Sequence, residues 1–415
     1  MKRFARVAVI LCVVLGLLVS GITFAADPPK TITVWAFSWT ATTLDKIKGM
    51  FEKNQKGVKV NVVLQDWSGM QTKALAAIAS GEDVPDVCTF SSAWVGPMMT
   101  SRGLARLNKY MDKTFTDKFI NGALGIYNFK GSQFGIPLDI DLAPIIYRKD
   151  IVDPALTKLG LKEFPKDWDN FVKLLKAVAS DKCIPLVLGP DPYYLQAAFL
   201  PQRNAKLFND KYTEAYFNSP EVVEALSDEA YLIRNKLATT QIPDAIPVLK
   251  SGQACMYVQG PWYKNQLKNN IPDLKGQFRF AAMPVKKAGN PTTALTGLGM
   301  AIPYNSDNIP EAVEFIKFFS GDVAAQKAYF GDVGSPSPLK ALLTDKMYDV
   351  VDEYLGVSMY PALVDSMKNA VAIQIFPKAE LNQAMQDAMD ASFYNGKDPK
   401  AALDEAQAKA AALLK

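Results

Sequence analysis

Residues 31–37 read TITVWAF, a run that first alternates and then becomes fully apolar, as in a buried β-strand. This run opens a series in which strand and helix patterns alternate. The series predicts strands at Thr31–Phe37, Val58–Leu64 and Pro85–Phe90, with amphipathic helices at Thr42–Lys53 and Met70–Ser80 between them. Such alternation predicts a parallel sheet with right-handed crossovers, and therefore an α/β fold.

The rest of the chain predicts a second α/β lobe and several crossings between the lobes. An extended pair, Gly131–Pro137 and Ala143–Tyr147, flanks the point where the chain is expected to leave the first lobe, and a strand at Gly297–Pro303 is expected to return to it. From Leu339 onward the pattern predicts almost only helix, ending at Pro399–Leu414. Further predicted elements are helices at Trp168–Ala179, Pro220–Lys236, Pro310–Phe319 and Asp322–Phe330 and a strand at Arg279–Pro284.

A chain of 415 residues is too long for one ordinary core, so we expect two lobes with a cleft between them. The N-terminal lobe is expected to comprise residues 26–137 plus 285–335. The C-terminal lobe is expected to comprise residues 138–284 plus 336–415.

The first 25 residues have the three-part pattern of a cleaved secretory signal. Basic residues at Lys2, Arg3 and Arg6 precede an apolar run, Val7–Val19, and a small-residue exit ends at Ala25. We therefore expect cleavage after Ala25 and export to the periplasm or the extracellular space. An uncleaved N-terminal anchor is the alternative, but the apolar run is shorter than the roughly 20 residues of a membrane-spanning helix.

The composition excludes several classes of function. The chain has no histidine, which removes Ser-His and Cys-His nucleophiles and His-bearing zinc sites. The formal charge of +4 falls to +1 without the three basic leader residues, and no long Lys/Arg run is present, so no nucleic-acid partner is predicted. Beyond the leader, Cys88, Cys183 and Cys255 allow at most one internal disulfide, and we interpret them as small buried side chains. No metal or cofactor is predicted.

Six motifs occur in a fixed order along the chain and resemble those of extracellular solute-binding proteins of ABC-type importers, in the sugar-binding group related to maltose-binding protein. The motifs are ITVW (Ile32–Trp35), AAIASGEDVPDV (Ala76–Val87), GIPLDIDLAPIIYRKDI (Gly135–Ile151), FPKDWDNF (Phe164–Phe171), SGQACMYVQGPWY (Ser251–Tyr263) and TGLGMAIPYNSDNIPEAVEFIKFF (Thr296–Phe319). The resemblance implies a two-lobed, type II periplasmic-binding-protein-like fold with a ligand cleft between the lobes and a helical C-terminal segment. It implies a monomer that is not an enzyme, captures a carbohydrate by lobe closure and delivers it to permease subunits in the membrane.

The resemblance assigns two candidate ligand residues near the lobe boundary. Trp262 follows Gly260-Pro261, where the family pattern places a sugar-stacking tryptophan; the alternative is a core tryptophan that caps the strand. Asp141 matches a family ligand-binding carboxylate by its offset after Pro137, and Asp139 is the second candidate. Either acid could instead cap a turn.

The loop GPDPYY (189–194) resembles the acid-Pro-aromatic-aromatic loop with which maltose-binding protein contacts its sugar. The resemblance implies that Asp191 accepts hydrogen bonds from sugar hydroxyls while Tyr193 and Tyr194 stack on the sugar. The alternative is a proline-fixed surface turn with the tyrosines packed beneath it. Aspartate replaces the relative's glutamate here, and this shorter reach leaves the length of the ligand open.

Ligands of open α/β sheets bind at the carboxyl ends of the strands, so the residues that follow the first three strands are further candidates. Trp39 follows the first strand, Asp66 and Trp67 follow the second, and Ser92 and Trp94 follow the third. The Asp-Arg pair that maltose-binding protein carries in the third of these loops is missing, which leaves maltose itself in doubt. Two further tryptophans are expected to be structural, Trp35 and Trp168.

Sugar chemistry explains the choice of these residues, because pyranose C–H faces stack on aromatic rings and ionised carboxylates accept strong hydrogen bonds from hydroxyls. Two alternatives stay open. A glycoside hydrolase would use two of Asp139, Asp141 and Asp191 as its carboxylate pair, about 5 Å apart for retention or about 6.5–9.5 Å apart for inversion. A binding protein for a glycerophosphate or another anion would prefer arginine forks, and the nearest arginines are Arg148 and Arg203.

Overall fold

Two five-stranded sheets organise the chain in a computed structural model that describes residues 29–415. The predicted signal segment, residues 1–25, lies outside the described residues. The strands are β1 (Lys30–Phe37), β2 (Val58–Gln65), β3 (Val87–Ser91), β4 (Asn128–Phe129), β5 (Ser132–Gln133), β6 (Gly135–Pro137), β7 (Ile145–Arg148), β8 (Leu186–Val187), β9 (Ala238–Thr239), β10 (Met256–Val258), β11 (Phe278–Ala281), β12 (Ala294–Leu295), β13 (Leu298–Ala301) and β14 (Val371–Ala372).

Helices separate most of these strands, together with short turns of 3₁₀ helix and one π-helical turn at Leu195–Phe199. The α-helices are α1 (Ser38–Asn54), α2 (Trp67–Ser80), α3 (Gly96–Thr100), α4 (Lys113–Thr116), α5 (Lys149–Lys158), α6 (Trp168–Val178), α7 (Pro192–Tyr194), α8 (Pro220–Arg234), α9 (Ala245–Ser251), α10 (Tyr263–Asn270), α11 (Ile309–Gly321), α12 (Val323–Val333), α13 (Val364–Asn369), α14 (Ala379–Tyr394) and α15 (Pro399–Leu413). Within residues 29–415, no helix is both long and apolar enough to span a bilayer.

The first sheet has the strand order β2-β1-β3-β13-β6. Its first three strands are parallel, as predicted, and β1 pairs with β2 along its whole length, from Lys30 opposite Val58 to Phe37 opposite Gln65. The complete sheet is mixed, because β13 runs antiparallel to both β3 and β6. The return of β13 to the first sheet confirms the crossing that the sequence predicts there.

The second sheet has the order β11-β7-β10-β8-β9, with β7 antiparallel to both of its neighbours. The predicted pairing of Gly131–Pro137 with Ala143–Tyr147 is wrong, because β6 belongs to the first sheet and β7 to the second. The segment between these strands carries the chain from one sheet to the other, so they cannot share a ladder. We keep the predicted lobe boundaries as a proposal, which the membership of the two sheets supports.

The prediction of almost continuous helix after Leu339 is wrong for residues 340–378, which form short helical turns, α13 and β14. Buried tyrosines fasten this irregular stretch, since the Tyr354 hydroxyl donates to the Ile271 carbonyl (2.8 Å) and the Tyr348 hydroxyl accepts from the Ser337 N–H (3.0 Å). The apolar residues of this stretch therefore pack individually against distant parts of the chain and do not form the apolar stripe of a long helix. The last two helices, α14 and α15, pack on each other and on α8, as a helical C-terminal segment requires.

Two apolar cores support the sheets, one centred on residues such as Phe37 and Phe90 and the other on residues such as Phe171 and Phe199. Trp35 and Trp168 are both buried, which confirms the expectation that they are structural. Trp35 also lies beneath the Lys73 ammonium, 4.5 Å from its ring centroid.

Tyr127 joins the first core to the strand ends of the first sheet. It is fully buried, and its hydroxyl donates to the carbonyl oxygens of Phe90 (2.7 Å) and Gly297 (3.1 Å).

Tyr127→Phe should lower the free energy of unfolding by about 1–2 kcal/mol, because buried acceptors lose their donor. Urea titration followed by circular dichroism measures this loss. Tyr304→Phe is the control, because it removes an exposed hydroxyl. Equal stability of wild type and Tyr127→Phe would show that the hydrogen bonds of the Tyr127 hydroxyl do not stabilise the fold.

Candidate functional site

The three tryptophans predicted at strand ends of the first sheet gather around one phenylalanine. Trp39 lies in the first turn of α1, Trp67 opens α2, and Trp94 follows β3. The Phe37 ring centroid lies 6.3, 4.5 and 6.4 Å from those of Trp39, Trp67 and Trp94 respectively. Trp39 and Trp67 are 37% and 43% exposed, with nearly parallel rings whose centroids are 6.4 Å apart. Two large indoles therefore present apolar faces to solvent at the carboxyl edge of the sheet.

Trp262 enters the same cluster from the second sheet. It follows β10, opens α10, and stacks on Trp39 with ring centroids 6.1 Å apart and 14° between the planes. Its indole N–H also hydrogen-bonds the Asp141 carboxylate. A Cβ at Gly260 would lie 2.3 Å from Asp141 Oδ2 and 2.6 Å from Trp262 Nε1, so only glycine permits this contact. Two residues that the sequence analysis proposed separately thus meet directly.

Asp141 lies where the chain crosses between the sheets. It exchanges backbone hydrogen bonds with Thr296, at 2.8 and 3.0 Å, and the Leu142 N–H donates to its Oδ1 at 3.1 Å. Burial and repulsion from Asp139 raise the pKa of the Asp141 carboxyl well above its usual value. Hydroxyl donors from a ligand would favour the ionised form, since hydrogen bonds to a carboxylate stabilise its charge.

Asp139 has a different environment from Asp141, although it lies only two residues away. It is 1% exposed, and its two oxygens accept hydrogen bonds from the Leu298 N–H (2.8 Å) and the Tyr329 hydroxyl (3.1 Å). Burial raises the pKa of Asp139 to about 7. The alternative to ligand contact for Asp139 is a turn cap; its two bonds instead tie the crossing segment to β13 and α12.

The GPDPYY loop brings its tyrosines to the cluster and uses its acid locally. The Asp191 carboxylate accepts from the Tyr193 N–H (3.0 Å) and caps α7, so it acts within the proline-fixed turn that is the alternative to sugar contact. The Tyr193 hydroxyl hydrogen-bonds the side chains of Ser92 and Thr296, and the Tyr194 hydroxyl accepts from Gln259 Nε2 at 3.0 Å. Tyr193 therefore connects the second sheet to the end of β3.

The two polar candidates of the first sheet differ in exposure. Ser92 is buried, and its hydroxyl accepts from the Gly297 N–H at 3.2 Å. Asp66 is exposed, and its Oδ2 accepts from the Gly69 N–H at 3.1 Å near the start of α2. Ser92 lines a cleft beside the aromatic cluster, whereas Asp66 does not line it and is exposed next to Trp67 in the chain.

A cleft of about 190 Å³ adjoins the aromatic cluster and is lined by Ser92, Trp94 and Tyr193. Further lining residues, which sequence analysis did not identify, are Gln71, Gln196, Gln374, Ile375, Phe376 and Asn382. Gln71 lies one turn after Trp67 on α2, so helical spacing was a usable signal for it. The segment around Gln374 gave no such signal, because only the tertiary fold brings it to the cleft.

Uncharged amides, hydroxyls and aromatic rings dominate this lining. Lys378 is the charged side chain among the described residues of the lining, and its ammonium donates to the Leu413 carbonyl at 2.5 Å. In the part of the chain that the structure describes, no three His, Cys, Asp or Glu side chains are grouped to hold a metal ion. This cleft, whose lining does not include Trp39, Trp262 or Asp141, is therefore suited to a neutral ligand that offers apolar faces and hydrogen-bond donors and acceptors.

Comparison with known proteins shows that residues 37–326 match the family of bacterial extracellular solute-binding proteins. The chain belongs to this family. The arabinooligosaccharide-binding protein of Bacillus subtilis (strain 168) is 23% identical over 98% of this chain and 98% of its own length. The multiple sugar-binding protein of Streptococcus mutans serotype c is 27% identical over 73% of this chain and 74% of its own length.

Among solved structures, the sugar-binding protein MalE from the phytopathogen Xanthomonas citri matches with a TM-score of 0.78 and 18% identity. The match covers 93% of this chain and 97% of that chain. It confirms the predicted two-lobed, periplasmic-binding-protein-like fold.

The raised pKa of Asp139 predicts a pH-dependent stability. The folded pKa of Asp139, about 7, lies above its unfolded value of roughly 3.9. The protonated carboxyl therefore contributes to the free energy of unfolding, fully below the unfolded pKa, and this contribution is lost as pH rises through 7. Relative to Asp139→Asn, the wild type should lose about 1 kcal/mol of unfolding free energy between pH 6 and pH 8. Urea titrations at each pH measure the difference between the two proteins.

Asp167→Asn is the matched control, because hydrogen bonds from Asn170 lower the pKa of this surface carboxylate. Its difference from wild type should stay flat between pH 6 and pH 8. Parallel profiles for wild type and Asp139→Asn would show that Asp139 does not titrate in this range.

Proposed function

We propose that this protein is the substrate-binding component of an ABC-type importer and captures a neutral carbohydrate between its lobes. One observation carries the proposal: indoles from both lobes, Trp39 and Trp262, converge face to face beside the Asp141 carboxylate. Flat apolar faces next to a charged acceptor are complementary to a pyranose ring and its hydroxyls. The sugar-binding names of the two relatives support the same ligand class.

Binding is proposed to exchange contacts within the protein for contacts to the sugar. In this arrangement the Trp262 indole faces Trp39 and its N–H is held by Asp141. A sugar ring that enters between the indoles takes over both apolar faces, and its hydroxyls compete for the carboxylate. Because the two tryptophans come from different lobes, a ligand held by both binds the closed form more tightly and shifts the population toward closure.

An anionic ligand finds less support in the geometry. Arg148 donates to Asp150 and to the Leu249 carbonyl (2.7 Å), and Arg203 is paired with Asp228. Both guanidinium groups are thus engaged outside the cleft. A phosphate would meet amides and aromatic rings there instead of an arginine fork.

Carbohydrate capture without catalysis is part of the proposal. Asp139 is buried under two donors, Asp191 caps α7, and Asp141 is bonded to Trp262. These roles are positional, and a glycosidase would require two of the three to act as acid and nucleophile on one bond. We further propose an exported monomer without a cofactor that delivers its ligand to membrane permease subunits.

Calorimetric titration with a panel of arabino-, xylo- and malto-oligosaccharides, monosaccharides and glycerol 3-phosphate tests the ligand class. At least one sugar should bind and raise the melting temperature through mass action, and scattering should show a smaller radius of gyration. Binding of glycerol 3-phosphate alone would replace the carbohydrate proposal with the anion alternative. Release of reducing ends from the oligosaccharides would support the hydrolase instead.

Trp262→Ala should weaken binding of the best sugar by about 1.5–3 kcal/mol, because the sugar loses a stacking face. The fold should stay intact. Tyr304→Ala is the control, since Tyr304 is an exposed aromatic beyond the opposite end of β13. Calorimetry measures both affinities. Unchanged affinity with a strongly lowered melting temperature would assign Trp262 to the core.

A further inference from the structure

Two cysteines lie side by side at the bases of adjacent strands in the second sheet. Cys255 directly precedes β10 and Cys183 lies shortly before β8, and these strands are parallel neighbours with Met256 opposite Leu186. The backbone stays paired at the cysteines, because the Ile184 N–H donates to the Gln253 carbonyl (3.0 Å). The Cys255 N–H donates in turn to the Pro185 carbonyl at 3.1 Å. These backbone hydrogen bonds therefore hold the two cysteines close together.

The side chains of Cys183 and Cys255 also interact with each other. The Cys255 thiol donates to the Pro185 carbonyl at 3.7 Å, and its interaction with the neighbouring Cys183 sulfur lowers the pKa of Cys183 and raises that of Cys255. Cys255 is buried, whereas Cys183 is half-buried and thus open to a reactant from solvent. Cys88 is buried in β3 of the first sheet and lies apart from this pair.

We propose that Cys183 and Cys255 are joined by a disulfide bond in the exported protein. The family to which the chain belongs is extracellular, where oxidising conditions let such bonds form and persist. The free thiols then represent the reduced form. Thiols in side-chain contact on a paired backbone can reach disulfide geometry by side-chain rotation, without separating the strands.

The bond forms by exchange with an oxidised thiol–disulfide oxidoreductase. The Cys183 thiolate attacks one sulfur of the donor disulfide, which gives a mixed disulfide and releases one donor thiolate. The Cys255 sulfur then attacks the Cys183 sulfur, and the second donor thiolate leaves. The protein loses two electrons and two protons, and the donor gains them as two thiols. Exposure and the lowered pKa both make Cys183 the attacking residue.

The position of the bond suggests its purpose, which rests on the proposed carbohydrate site although the bond itself does not. Strand β8 leads into the loop with Tyr193 and Tyr194, and β10 leads into Trp262. A covalent link at the bases of both strands holds these loops at a constant separation. It also restricts the unfolded chain between Cys183 and Cys255, which stabilises the lobe.

Alkylation of the exported chain tests the bond. The protein is produced with export, denatured without reductant, treated with N-ethylmaleimide and weighed by mass spectrometry. One adduct is expected, on Cys88, against three after reduction, for a chain cleaved after Ala25. A cross-linked peptide pair that contains Cys183 and Cys255 and is about 2 Da lighter than its reduced parts is also expected.

Two variants serve as matched controls for the adduct count. Cys88→Ala should give no adduct before reduction and two afterwards, and Cys183→Ser should give two adducts with or without reductant. Three adducts on the unreduced wild type, also after incubation with oxidised glutathione, or a cross-link that includes Cys88, would overturn the proposal. The count is made on denatured chains, so it does not depend on whether a variant folds.

Thermal unfolding provides an independent measurement of the effect of the bond. Reduction should lower the melting temperature of the wild type by roughly 5 °C or more and leave that of Cys183→Ser unchanged. Equal shifts in both proteins would show that the reductant acts elsewhere and would overturn the stabilising role. Loss of sugar binding with an intact cross-link would instead count against the proposed function alone.

Discussion

The hydrogen bonds that Asp141 and Thr296 exchange, at 2.8 and 3.0 Å, join the two segments on which the rest of the structure depends. One segment leaves the first sheet after β6, and the other precedes β13, which returns to it. Asp139 fastens the same crossing through the Leu298 N–H and the Tyr329 hydroxyl. A Cβ at Gly297, where φ is +132°, would lie 2.8 Å from Asp139 Oδ1, so the crossing requires glycine there.

The candidate site is an extension of this crossing. The Asp141 side chain meets Trp262, and the Thr296 side chain meets Tyr193, so both loops of the second sheet are tied to the crossing. Ligand hydroxyls must replace bonds that the protein already makes within itself, and the net gain from each exchange is small. In the proposed site, most of the affinity is therefore expected to come from the aromatic faces of Trp39 and Trp262.

Two carboxylates that lie two residues apart in the chain, Asp139 and Asp141, are held differently because their surroundings differ. Asp139 is enclosed by two donors within the core, whereas Asp141 is half-buried and receives the indole N–H of Trp262. The charge of Asp139 adds to the effect of burial in raising the pKa of Asp141. A ligand that stabilises ionised Asp141 therefore also acts on the group that holds the crossing.

The amino-acid sequence by itself determined the periodic elements and their class, because burial periodicity is local. The TITVWAF run, the alternating elements up to β3, the structural role of Trp35 and the family motifs all follow from residues close together in the chain. The tryptophans at strand ends were predictable for the same reason, since parallel strands place their carboxyl ends at one edge.

Tertiary structure alone decided which segments meet. The predicted extended pair failed because β6 and β7 enter different sheets, and the stretch after Leu339 is irregular because its tyrosines pack on distant residues. The same holds for the different environments of Asp139 and Asp141, for the Gln374 side of the cleft and for the meeting of Cys183 with Cys255. Contacts between residues far apart in the chain depend on the packing of whole lobes, and no local pattern encodes them.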